Sequence, residues 1–93
     1  MPVGVLTLEF QIPYAHSLKE KRAVVQKLRG RLRERFNVAV AELDHQDVWQ
    51  QATLGVVSIS NSHPLLESLL RQALAEAERT LGDDVAHYEI DYL

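Results

Sequence analysis

The chain alternates, turns amphipathic, and alternates again. Over residues 3–12, Leu6, Leu8, Phe10 and Ile12 fall on one side and Val5, Thr7, Glu9 and Gln11 on the other. That two-residue period predicts a half-buried β-strand. Pro13 ends it, having no N–H to offer a neighbouring strand. Ser17-Leu18-Lys19-Glu20 follows with the spacing of a capping box, in which the Ser17 hydroxyl accepts the Glu20 amide and the Glu20 carboxylate reaches back. Leu18, Val25, Leu28, Leu32 and Phe36 then share one helical face, so a helix is predicted over about residues 18–35. Residues 38–43 are short and partly β-branched, residues 44–50 are polar and turn-like, and residues 53–60 carry Leu54, Val56, Val57 and Ile59. Two strands paired as a hairpin are predicted. Asn61-Ser62-His63-Pro64 is a helix start, with a capping residue and a proline in the first turn. Leu65, Leu66, Leu69, Leu70, Ala73, Leu74, Ala77 and Leu81 form a broad apolar stripe, closed by Gly82. Residues 85–93 alternate again, with Tyr88, Ile90 and Tyr92 together.

The resulting order, β-α-β-β-α-β, predicts an α+β ferredoxin-like sandwich: a four-stranded antiparallel sheet with two helices on one face. Ninety-three residues are enough for one such core. No repeat or Gly/Ser-rich linker divides the chain, so residues 1–93 are read as a single domain. No apolar run approaches the ~20 residues that span a bilayer. Met1-Pro2-Val3-Gly4 lacks the basic start of an export signal, and a cytoplasmic location is expected. The absence of cysteine removes disulfides, thiolate zinc sites and thiol catalysis.

Charge changes this picture. The net of −3 hides a split, because eight of the ten basic residues lie between Lys19 and Arg35. Opposed there only by Glu20 and Glu34, they give the stretch +6 and leave −9 for the rest. Such a local face holds an anionic partner that the average would repel. Arg22, Gln26, Arg29 and Arg33 form an uninterrupted row along the helix, with Lys19 near its start. Glu20, Lys27, Arg31 and Glu34 lie on the far side, where i+3 and i+4 contacts can neutralise charge internally. The planar fork of arginine suits phosphate. Lys19, Arg22, Gln26, Arg29 and Arg33 are therefore the candidate nucleic-acid contacts. The competing reading is structural: Glu76, Glu78, Asp83, Asp84, Glu89 and Asp91 crowd the C-terminal third and could neutralise the row. Lys21, beside the apolar arc, is expected to lay its stem along the core edge with its ammonium in water. Base stacking on the open sheet is disfavoured, because Phe10 is the one aromatic of the two central strands and belongs to the core set.

In the 44–50 segment, Asp44, His45, Asp47 and Trp49 are candidate partner contacts, with the indole as anchor. The competing reading is turn structure, since Asp caps its own turn backbone. A metal or acid–base role would need ligands from elsewhere, and the spacing matches no metal motif. Ser17, Ser58, Ser60, Ser62 and Ser68 lack a G-x-S-x-G setting. The four glycines are scattered, so there is no phosphate-cradling loop. No enzyme, cofactor or metal is expected. Gly30, inside the first helix, costs about 1 kcal/mol against alanine; it either admits another surface closely or is neutral.

Gly4-Val5-Leu6, Ser17-Leu18-Lys19-Glu20-Lys21-Arg22, Phe36-Asn37-Val38, Ala41-Glu42, Asp44-His45-Gln46-Asp47, Trp49-Gln50 and Ala52-Thr53-Leu54-Gly55 together resemble the bacterial YlxP-like family, small proteins of unknown function. The resemblance is specific through residue 60 and generic beyond it. It implies a ferredoxin-like fold, in agreement with the order of elements. Members are often encoded among genes for transcription elongation and translation initiation, near a ribosome-maturation factor, which implies a role around RNA or the ribosome. No catalytic residues come with the resemblance. The expectation is a non-enzymatic cytosolic accessory protein that contacts RNA or a ribonucleoprotein through its basic first helix. The 44–50 segment would be a second contact. The alternative is a protein-interaction or self-assembly module that uses the open sheet face, with Val3 and Val5 exposed, and the 44–50 segment; a homodimer would form through that face or a sheet edge.

Overall fold

Alternate apolar positions of the first strand decide the layering. The computed structural model describes residues 2–44 and 50–93, without the side chains of Asp44 and Asp83. Its elements are β1 (Val3–Gln11), α1 (Leu18–Arg35), β2 (Ala39–Asp44), β3 (Gln51–Ile59), α2 (His63–Leu81) and β4 (Val85–Tyr92). A short 3₁₀ turn, Gly82–Asp84, joins α2 to β4. The sheet order is β2-β3-β1-β4, with every neighbour antiparallel. In register, Leu6 faces Val56, Leu8 faces Leu54 and Phe10 faces Ala52. This places three apolar pairs on one face, where Leu28, Leu32, Leu66, Leu70 and Ala73 of the helices bury them. The molecule is thus the ferredoxin-like sandwich that the order of elements predicts. β3 begins two residues earlier than its apolar run suggests, because its pairing with β1 continues to Gln11 opposite Gln51.

Both helices start where the sequence places their caps. The Ser17 hydroxyl accepts the Glu20 amide at 3.2 Å. The Glu20 carboxylate reaches back to the His16 amide, one residue before the cap, at 2.6 Å. Ser62 accepts the Leu65 amide at 3.4 Å, and Gly82, at φ 61°, closes α2. α1 packs against β2 and α2, and α2 against β1, β3 and β4. Gly4 permits α2 to sit close on the sheet, since a Cβ there would stand 2.6 Å from Leu70 Cδ1. No helix among the described residues is long and apolar enough to cross a membrane.

Three side chains depart from the sequence reading. Leu65, in the first turn of α2, is 66% exposed. Glu76, about three turns on at nearly the same helical angle, is buried. Lys21 does not reach solvent: it is 1% exposed, and its Nζ lies 3.0 Å from Glu42 of β2. The carboxylate on the adjacent strand holds the ammonium inside the fold.

Gly30 is exposed in α1, and nothing lies within 4 Å of where its Cβ would be. Gly30→Ala is therefore expected to stabilise the protein by about 1 kcal/mol. A thermal melt should show the midpoint rise by roughly 4–8 °C. An unchanged midpoint would mean that the helix interior carries a strain not visible in its surroundings.

Candidate nucleic-acid interface

The packing of α1 fixes where its cations point. Leu28 and Leu32 are buried beneath it. Arg35 lies on one flank of Leu32 and pairs with Glu76 of α2. At about 100° per residue, Arg22, Gln26, Arg29 and Arg33 fall on the opposite flank. The row is therefore turned away from α2. Lys19, Arg22, Gln26 and Arg33 are exposed and Arg29 is half-buried. Among the described residues, no carboxylate pairs with Lys19, Arg22, Arg29 or Arg33. The Arg29 Nε–H is shielded from water and has no acceptor among them. A buried donor without an acceptor costs on the order of 1–3 kcal/mol.

Among the described residues, no acid of the C-terminal third pairs with this row. Glu89 and Asp91 stand opposite Thr7 and Val5, on the sheet face away from the helices. Glu76 is occupied by Arg35 and Arg79. Internal neutralisation across the far side of α1 is not seen either. Glu20 is spent on the His16 amide, and Lys27, Arg31 and Glu34 form no ion pair among the described residues.

The structure describes little of the second expected contact. His45, Asp47 and Trp49 lie outside the described residues, and Asp44 ends β2 opposite Thr53. Gln50 returns the chain to the fold: its carbonyl accepts the Ile12 amide at 2.8 Å, and its side chain donates to the Ala15 carbonyl at 3.4 Å. Among the described residues no group of three His, Asp or Glu side chains is placed to hold a metal.

The open face of the sheet is divided. Val3 stands beside Ile59, Val5 beside Val57, and Ala39 on the other side of Val57. Val57, Ile59 and Leu43 are exposed. Gly55 makes room for Leu43 to lie across the sheet, since a Cβ there would be 2.8 Å from Leu43 Cδ1. A shallow apolar hollow of about 190 Å³ results, bounded by Val5, Ala39, Ala41, Leu43, Gly55 and Val57. β4 closes the face with His87, Glu89 and Asp91, next to Glu9, Thr7 and Val5. Neither central strand presents an aromatic ring on this face, and Phe10 is 1% exposed in the core.

Seven of the residues that carry the family resemblance have identifiable structural work. Ser17 and Glu20 cap α1, Lys21 pairs with Glu42, Gln50 ties down the chain before α1, and Gly4 and Gly55 admit close neighbours. Lys19 and Arg22 have no such explanation, and they begin the exposed row. The sequence reading missed a second basic site, formed by Arg35 and Arg79 around Glu76. Its one signal was an acid set within an apolar stripe with an arginine three residues on.

Comparison with known proteins agrees with the fold. A family model described as "Protein of unknown function (DUF503)" matches residues 3–90. "Uncharacterized protein YlxP" of Bacillus subtilis is 38% identical over 85 residues, covering 85% of this chain and 92% of that protein. A de novo designed protein with ferredoxin fold superposes with a TM-score of 0.55 at 11% identity, covering 100% of this chain and 83% of the design. Rv0793 from Mycobacterium tuberculosis gives 0.54 at 15% identity, covering 100% and 93%. SnoaB, a cofactor-independent oxygenase from Streptomyces nogalater, gives 0.53 at 12%, covering 99% and 90%. At these identities the likeness extends to the fold alone.

Proposed function

The chain belongs to the DUF503 family of proteins of unknown function, and we propose that it is a non-enzymatic accessory protein of the cytoplasm that holds the phosphate backbone of RNA along α1. A ribonucleoprotein of the translation machinery is the setting that the family resemblance favours. The observation that carries this reading is the row of Lys19, Arg22, Arg29 and Arg33, which the fold leaves without carboxylate partners among the described residues. Gln26 adds a neutral donor within the row. The bare sheet face argues for backbone recognition instead of base stacking. The segment 44–50, which joins β2 to β3, is the second contact in this reading. Four neutralised phosphates give a log–log salt slope of about −3 to −4, read by fluorescence anisotropy against a structured RNA hairpin. A slope near zero overturns the reading.

A second reading rests on the divided sheet face, and its occupant is a second copy of this chain. With a two-fold axis along β3, β1 of one copy covers β2 of the other, and the apolar halves meet. The strips of Glu89 and Asp91 on β4 then overhang at opposite edges, where they do not repel. Multi-angle light scattering should give twice the chain mass at high concentration. Val57→Glu, which brings two carboxylates together at the axis, should return it to a monomer. A monomer for the parent at all concentrations removes this reading.

A further inference from the structure

Glu76 is the anomaly of α2. It lies among buried Ala73, Leu74 and Ala77, and its side chain is 2% exposed. Two guanidinium groups hold it: Arg35 Nε at 2.8 Å from Oε1 and Arg79 Nε at 3.0 Å from Oε2. A buried ion cluster is seldom more stable than apolar side chains of the same volume, so stability is a weak reason for its presence. What the arrangement provides is position. Arginine side chains on a surface ordinarily sample many rotamers. Here Arg79 is tethered by a hydrogen bond from its Nε and Arg35 by an ion pair, yet they remain 61% and 60% exposed. Among the described residues their terminal amino groups have no other carboxylate partner.

Both arginines line one cleft of about 470 Å³ between the end of α1 and α2, with Phe36, Gln72 and Ala75. The Gln72 amide is pinned by the Ser68 hydroxyl at 3.0 Å. Two cations over one buried anion leave the cleft at +1, with the negative charge behind it. The carbonyl end of α1 is close and opposes an anion weakly, so the fork geometry of the arginines must supply the attraction. The volume lies in the range of small-molecule sites.

We propose that this cleft binds a phosphate monoester of a sugar that carries a flat ring, the chemistry of a mononucleotide. The phosphate bridges the terminal amino groups of Arg35 and Arg79, and the ring lies against Phe36. Glu76 is a positioning residue. The site is on the opposite flank of α1 from the Arg22–Arg33 row and stands independently of RNA binding there.

The test is an NMR titration of the full chain with inorganic phosphate, adenosine 5′-monophosphate and adenosine. Saturable shifts of the backbone amides of Arg35, Phe36, Gln72, Ala75 and Arg79 are expected at millimolar ligand. The monophosphate should bind tighter than phosphate, and adenosine weakest. Arg79→Gln should weaken the monophosphate about tenfold, the loss of one charge-assisted hydrogen bond. Arg79→Lys keeps a cation beside Glu76, and so the fold, but gives up the fork and should weaken binding as well. Glu76→Gln should weaken it although both arginines remain; a merely structural glutamate would change the melting point alone. Lys27→Gln, an exposed cation of α1 outside both sites, should leave the titration unchanged. Absence of saturable shifts in the cleft, or equal loss in Lys27→Gln, overturns the site. Adenosine and the monophosphate binding alike overturns the role of the arginines.

Discussion

A protein carrying Arg22→Glu, Arg29→Glu and Arg33→Glu together is expected to bind a structured RNA hairpin about a hundredfold more weakly at moderate salt, with its fold intact. The magnitude follows from three charge contacts, those of exposed Arg22 and Arg33 and half-buried Arg29, of about 1 kcal/mol each, where every 1.4 kcal/mol is roughly tenfold. The salt slope should fall toward that of Lys19 alone, about −1. Stability should change little. The three arginines have no ion pairs to lose among the described residues, and Glu is as good a helix former as Arg. Like charges at 29 and 33, and an acid near the helix C-terminus, cost together about 1 kcal/mol. A few degrees in the melt is therefore the tolerance. The control is Lys27→Glu with Arg31→Glu, which alters charge on the other side of the same helix. If binding follows the row, the control binds within a few-fold of the parent. If the control and the triple variant lose affinity alike, the effect is net charge and the row is not the site.

What could be seen in the sequence and what could not divides along a physical line. Alternation in 3–12 and the capping box at Ser17 are local, and each forces one outcome: Leu6, Leu8 and Phe10 are in the core, and Ser17 accepts the Glu20 amide. The row of arginines was equally legible, because helical spacing alone places residues on a flank. Whether the row was free was not legible. That depended on which flank of α1 met α2, a question of tertiary packing, and Arg35 meets Glu76 there while Arg22, Arg29 and Arg33 do not. The same limit hid Lys21. A lysine at the edge of an apolar arc reads as a stem with its head in water, until β2 brings Glu42 over it from 21 positions away. The cleft of Arg35 and Arg79 was illegible for that reason too: its parts come from two helices, and only Glu76, a polar residue inside an apolar stripe, hinted at it.

Glu42→Ala is expected to be the most damaging single change outside the apolar core, lowering stability by about 3 kcal/mol, with the midpoint of a thermal melt roughly 15 °C lower. Lys21 is 1% exposed and Glu42 22%, so removing the carboxylate strips a close counter-charge from a buried ammonium while the remaining half of the site stays dry. Removing one partner of such a pair typically costs about 3–5 kcal/mol, and the partial exposure of Glu42 sets the lower figure. Replacing both by apolar side chains of similar length, Lys21→Met with Glu42→Leu, removes the ion and its need together and should recover most of the loss. The double variant separates two roles that a single substitution cannot. If the pair serves only to hold α1 against β2, the double variant should bind RNA as the parent does, because Arg22 and its row keep their flank. If it also sets the rotation of α1, the double variant should be stable and yet bind with a shallower salt slope, as Arg29 and Arg33 turn toward the sheet edge. Near-neutral melts for Glu42→Ala and for the double variant alike would show that the ammonium is satisfied without Glu42, and the orientation of the basic row would then rest on buried Val25, Leu28 and Leu32 and on the Arg35–Glu76 contact.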